Sequence, residues 1–172
     1  MAGRQGTQTV KNMVWSLVVI ALVAGVIYIF VPHDESKTPV ERVDYRVELL
    51  TARRAAAYPV AAPEGLSKEW KPTSVRFNGA EHDSWHLGFL DPDGEYVAVK
   101  QSTAKPAKFI PRATKEARKT AATEEIDGRT WQRYRGATYD ALVSTEKGAT
   151  TVVAGTASFG QLAKMAESLK TA

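Results

Sequence analysis

The chain has 172 residues, 44% of them hydrophobic, and a formal net charge of +4, which is about one folded domain of ordinary composition. It contains no cysteine, so disulfides, thiol catalysis and zinc–thiolate sites are all excluded. The small basic excess does not imply nucleic-acid binding, which needs a concentrated basic face.

Residues 1–12 are polar and are expected to form a short cytoplasmic tail. Residues 13–31 carry no charge, and only Ser16 and Gly25 depart from large or apolar types. A helix needs roughly 20 such residues to cross a hydrocarbon core of ~30 Å, and a lone span must be helical to satisfy its own backbone. Trp15 and Tyr28 lie near the two ends, as interfacial aromatics do. No A-x-A-like site follows, so 13–31 is expected as an uncleaved single-pass transmembrane helix. Arg4 and Lys11 precede it, whereas Asp34 and Glu35 follow closely. That asymmetry predicts a plasma-membrane protein with its N-terminus cytoplasmic and its C-terminal domain extracytoplasmic.

Residues 32–42 read as a linker, with Thr38-Pro39-Val40-Glu41 resembling a capping box. The domain is expected over 43–172. Val43, Val47, Leu50 and Ala57 recur at helical spacing, interrupted by Arg54, and Pro59 stops this helix. Residues 58–71 read as a loop. Strands are predicted over 73–78, 84–90 and 95–102, the last two joined by the turn Asp91-Pro92-Asp93-Gly94. Residues 105–112 form a proline-bearing connection, and 111–122 has helix-forming composition with a weak alanine face. A strand follows at 130–135. A second hairpin then pairs 139–144 with 150–156 across 145–149. The chain closes on a helix with Phe159, Leu162, Ala163, Ala166 and Leu169 on one stripe. Ser158 and Gln161 are spaced as its capping box.

These elements predict an α+β class: an N-terminal transmembrane helix, then a two-layer domain with an antiparallel sheet covered by helices. Shifting the first hairpin by 54 residues lays it on the second without a gap. Trp85 meets Tyr139, Phe89 meets Val143, Gly94 meets Gly148 and Val99 meets Val153. The alignment suggests a duplicated strand-strand-strand-helix unit, against the plainer reading that hairpins share alternation and a turn glycine.

Chemistry is sparse. His82 and His86 have metal-ligand spacing for a helix, but on a strand they stand some 13 Å apart at ~3.3 Å per residue. His86 is expected at the surface or hydrogen-bonded. Asp91 and Asp93 suit turn roles, and Ser158 lacks a nucleophile-elbow frame. No catalytic residue, cofactor or metal is therefore expected. The aromatics Trp70, Trp85, Trp131, Tyr134 and Tyr139 read first as core. As a binding surface, the set to weigh is Trp85, His86, Arg129, Trp131, Arg133 and Tyr134, because arginines beside aromatics suit a protein or anionic-polymer contact.

The stretches Ala62-Pro63-Glu64-Gly65-Leu66, Trp70-Lys71-Pro72-Thr73-Ser74-Val75-Arg76-Phe77, Trp85-His86-Leu87-Gly88-Phe89-Leu90 and Asp93-Gly94-Glu95-Tyr96-Val97 resemble an actinobacterial family of single-pass membrane proteins of unknown function. Asp127-Gly128-Arg129-Thr130-Trp131-Gln132 and Gly155-Thr156-Ala157-Ser158 are similar to the same family. The resemblance implies a bacterial envelope protein and brings no activity with it. The ending Gly160 to Leu169 also resembles extracytoplasmic domains attached to anti-sigma regulators, but the 12-residue inner segment is too short for a sigma-binding domain. The expected function is a non-enzymatic interaction module at the cell envelope, integral in the membrane by one span, with an envelope protein or cell-wall partner and no nucleic acid. The alternative is a ligand-binding or enzymatic domain using the aromatic sheet face.

Overall fold

A computed structural model describes residues 5–30, 42–146 and 148–171, with the side chains of 12–26 in the first stretch. The chain divides into two units, Met1–Pro39 and Val40–Ala172. The first contains helix α1 (Gln5–Phe30), whose described side chains, Asn12 to Val26, are all exposed. Among the described residues no helix is long and apolar enough to cross a membrane. The expectation of a transmembrane helix over 13–31 is corrected on that finding, and the single-pass topology built on it does not fit. The linker up to residue 41, the capping box at 38–41 and residues 1–4 of the tail lie outside the described residues.

The second unit is built on a seven-stranded antiparallel sheet. Its strands are β2 (Lys71–Asn78), β3 (Ser84–Leu90), β4 (Tyr96–Ser102), β5 (Arg118–Ile126), β6 (Arg129–Arg135), β7 (Asp140–Glu146) and β8 (Ala149–Gly155). They lie in the order β2-β3-β4-β8-β7-β6-β5. Alternation sets the faces, because successive side chains on a strand point to opposite sides. Trp85, Leu87, Phe89, Val97, Val99, Trp131, Leu142 and Val153 are buried on one face. They pack with α4 (Phe159–Ser168) through Leu162 and Met165, and with α2 (Arg46–Ala55) through Ala52. Each fully buried large side chain of this kind contributes about 1.5–3 kcal/mol. The opposite face buries Ala141, Val143, Val152 and Ala154 under α3 (Pro106–Thr114) through Phe109, Ile110 and Ala113. Helices thus cover both faces, which corrects the two-layer arrangement.

A small second sheet pairs β1 (Ala61–Pro63) with β9 (Leu169–Thr171). The 58–71 stretch, expected as a loop, is pinned by it. The sheet also holds Ala61 directly. Trp85 Nε1 donates to its carbonyl at 3.0 Å, and its N–H donates to Gln101 Oε1 at 2.7 Å.

Other boundaries moved for identifiable reasons. The apolar face of α2 is Tyr45, Leu49, Ala52 and Ala56, whereas Val47 and Leu50 are 75% and 54% exposed. The helix expected over 111–122 lies at 106–114. Pro106 starts it, where a missing N–H costs nothing, and Lys115 and Glu116 end it with φ of 55° and 63°. Residues 118–126 have helix-forming side chains, but pairing with β6 overrides that preference. Their register shifts between Lys119 and Thr123, and there Gln132 Nε2 donates to the carbonyls of Thr120 and Ala122, both at 2.8 Å.

The hairpins differ in register. Leu90 pairs with Tyr96 across the Asp91 turn, whereas Glu146 pairs with Ala149. A slip of one residue turns every side chain to the other face. Val99 and Val153 therefore share a face, but Trp85 points into the main core while Tyr139 stands on the opposite side against Tyr96, ring centroids 6.0 Å apart. The gapless 54-residue correspondence thus breaks on the first strand of the pair, and α3 and α4 lie on opposite faces.

Candidate functional site

Helix α3 covers β7 and β8 and leaves the same face of β2, β3 and β4 without a helix. A cleft of about 430 Å³ opens at this step, lined from the sheet by Ser84, Lys100 and Ser102 and from α3 by Lys108, Phe109 and Arg112. Glu81, His82 and Lys105 complete its rim. The volume is within the usual range for a small-molecule site.

The sheet floor beside the cleft is polar. His86 faces Lys100 across the strand pair. Its Nε2 is 3.1 Å from Ser74 Oγ and 3.3 Å from Tyr96 Oη, so both hydroxyls share one ring nitrogen. Gly88 makes this cluster fit, because a Cβ there would fall 2.4 Å from Ser74 Oγ and 2.8 Å from Tyr96 Oη. Burial, with the charges of Lys100 and Arg76, pulls the His86 pKa down to about 4. The ring is therefore neutral near pH 7. Burial likewise raises the Tyr96 hydroxyl above its ordinary value.

Lys100 is half-buried, and its Nζ donates to the Ala113 carbonyl at 2.8 Å. Burial and the Lys115 ammonium lower its pKa. Both ammonium groups lie over the Tyr139 ring, at 5.9 and 5.4 Å from its centroid. Among the described residues no carboxylate stands within 4.0 Å of Lys100, Lys105, Lys108 or His86; Glu81 pairs with Arg112 at 3.6 Å.

The far rim is strained. His82 and Asp83 both have positive φ, 54° and 50°, a left-handed conformation costing non-glycine residues about 1–2 kcal/mol each. Three donors hold the His82 carbonyl: Ser102 Oγ at 2.9 Å, Thr103 Oγ1 at 3.0 Å and Thr103 N at 3.0 Å. Tyr58 Oη donates to the Asp83 carbonyl at 2.5 Å. His82 and His86 thus diverge, one in a turn and one on a strand. No metal-binding cluster occurs among the described residues.

The six residues weighed as a binding surface are not brought together. Trp85 and Trp131 are fully buried in the main core. Arg129 pairs with Glu146 at 3.6 Å. Arg133 pairs with Glu124 and lies 4.6 Å over the Phe159 ring, on the α4 side. His86 and Tyr134 are on the other face, and β4, β8 and β7 separate their strands. The cations of the cleft were the residues not singled out beforehand. Lys105, Lys108 and Arg112 have spacing that puts them on one helical face, but that signal is lost once the helix is placed at 111–122.

In fold, this unit is a small domain built on an antiparallel sheet, helices on both faces, with a cationic cleft beside one of them. Residues 5–169 match the family described as protein of unknown function (DUF4245), and the chain belongs to that family. No curated protein matches it.

Proposed function

We propose that the chain is a non-enzymatic binding domain whose working surface is the cleft between α3 and β4, and that its partner is an envelope protein or a cell-wall polymer. The observation that carries this is the cleft's chemistry: converging cations and hydroxyls with no acid–base pair among them. A general base works best with a pKa near the operating pH. His86, held down to about 4, is a weak base, and its two hydroxyl neighbours compete for one nitrogen. Neither feature suits activation of Ser74 as a nucleophile. Trp70, Trp85 and Trp131 are buried and not open to a ligand, which weakens the enzymatic alternative as far as it is built on them.

The test is crosslinking and pull-down with the full chain, comparing the native protein with the double variant Lys105→Glu, Lys108→Glu. Recovery of the same partner with the native protein and its loss with the variant is the expected result. Equal recovery by both, or recovery by neither, would overturn the reading. Turnover of a carboxylic or phosphate ester that disappears in Ser74→Ala would overturn the non-enzymatic assignment.

A further inference from the structure

The cleft has a strong charge bias. Lys100 rises from the sheet, and Lys105, Lys108 and Arg112 descend from α3. Glu81 is the one carboxylate among the lining residues, and it pairs with Arg112. Exposed lysines ordinarily point into water and mean little. Lys100 is different, because it is half-buried, its Nζ donates to the Ala113 carbonyl, and it shares the Tyr139 ring with the Lys115 ammonium. Holding a cation away from water without a counter-charge costs stability. A bound anion would offset that cost and would also relieve the repulsion among the four cations. The hydroxyl of Ser84 lies on the same floor, and Phe109 with Ala113 gives the cleft one apolar wall.

We propose that this cleft binds a small ligand, or the terminal unit of a polymer, carrying two or more anionic groups of the phosphate or carboxylate type, with its apolar portion against Phe109 and Ala113. The proposal rests on the cleft being the working surface. Two anionic groups fit better than one, because the cleft draws cations from both its walls, Lys100 from the sheet and Lys105, Lys108 and Arg112 from α3 and its N-cap. The cleft volume suits a ligand of that size.

Isothermal titration of the full chain with inorganic pyrophosphate and, separately, with citrate tests this at physiological ionic strength. Saturable one-site binding of at least one probe is expected, and which of the two binds distinguishes phosphate from carboxylate. Charged hydrogen bonds of this kind predict an affinity loss of about tenfold or more in Lys108→Glu and in Lys100→Met. Lys164→Glu, an exposed site on α4, changes the net charge equally on the opposite face and should leave binding within about twofold. Lys108 is exposed, so its variant keeps the test decisive if Lys100→Met fails to fold. Absence of saturable binding to both probes would overturn the proposal, as would equal losses in Lys108→Glu and Lys164→Glu. Partner capture that persists in the native protein without probe binding sinks this inference alone. Capture indifferent to cleft charge sinks the binding-surface reading beneath it.

Discussion

The two faces of the sheet solve opposite problems with the same strands. One face is closed: Trp85, Leu87, Trp131, Leu142 and Val153 meet α2, α4 and the β1–β9 pair with almost nothing exposed. The other is closed over β7 and β8 and left polar over β2 to β4, where His86, Tyr96 and Lys100 stand beside a cleft. Apolar burial is concentrated on the first face, and the polar and cationic side chains are concentrated on the second. Substitutions should therefore divide by face.

The largest effects belong to the closed face. Trp131→Ala and Leu142→Ala should each cost about 3–5 kcal/mol, through lost burial and the cavity left behind. Lys108→Ala and Arg112→Ala, on the rim of the other face, should stay within about 0.5 kcal/mol. Urea denaturation at pH 7 measures all four, and comparable losses on both faces would break the comparison. Next comes the joint where β4 meets β8 at the centre of the sheet. A Cβ at Gly155 would lie 1.8 Å from the Tyr96 carbonyl oxygen. That oxygen also accepts the Thr156 N–H at 2.9 Å, so it is not free to move away. Gly155→Ala should cost about 3 kcal/mol, at the upper end for overpacking, by the same measurement. An unchanged midpoint would mean that the strands can separate locally without loss.

Below these comes the pH response of the open face. His86 has a pKa of about 4 in the folded protein against about 6.5 unfolded. Because the folded value is depressed, the unfolded chain binds more protons between these limits. The stability held by the neutral ring is complete above pH 6.5 and is lost as pH falls through about 4. Allowing for water that still reaches the ring, about 2 kcal/mol is at stake. His86→Gln should flatten that part of the stability curve relative to the native protein. The groups around the ring are Ser74, Tyr96, Lys100 and Arg76, and among the described residues no carboxylate lies within 4.0 Å to counter the trend. Parallel native and variant curves from pH 7 to 4 would show that the ring is not held neutral.

The closed face was more legible in the sequence than the open one, and the reason is periodicity. Trp85, Leu87 and Phe89 alternate strictly, as do Val97 and Val99, so β3 and β4 could be placed within a residue. The Asp91 turn was equally readable, since its carboxylate accepts the N–H groups of Asp93 and Glu95 at 2.9 and 2.8 Å. The elements that escaped are held by distant partners. β1 depends on β9, more than a hundred residues later, and on the side chains of Trp85 and Gln101. β5 carries alanine, lysine and glutamate, whose helix preference is overridden by β6. Misplacing β5 displaced α3, and with it the row of cations that makes the cleft. Trp131 read first as core and is buried there; only the arginines beside it, Arg133 two residues on among them, brought it into the binding-surface set. The hydroxyl cluster on His86 depends on cross-strand neighbours and on the space left by Gly88, and neither has a local signature.

The smallest expected effects lie at the starts of the two covering helices and draw the contrast most finely. Ser158 caps α4 over the closed face, its Oγ accepting the Gln161 N–H at 3.4 Å. Gln161 does not return the bond: its Nε2 reaches Asp93 Oδ2 at 3.2 Å, tying the helix to the first hairpin instead. Half a capping box remains, and Ser158→Ala should cost about 1 kcal/mol. α3, over the open face, has no side-chain cap at all, because Lys105 holds that position. Its backbone there is extended enough for a serine to serve (φ −52°, ψ 128°), so Lys105→Ser should gain about 0.5 kcal/mol while removing one cation from the cleft. Urea denaturation and pyrophosphate titration on the same variant should therefore move in opposite directions. A Lys105→Ser protein that is both less stable and equally able to bind would show that this residue serves the fold and not the cleft.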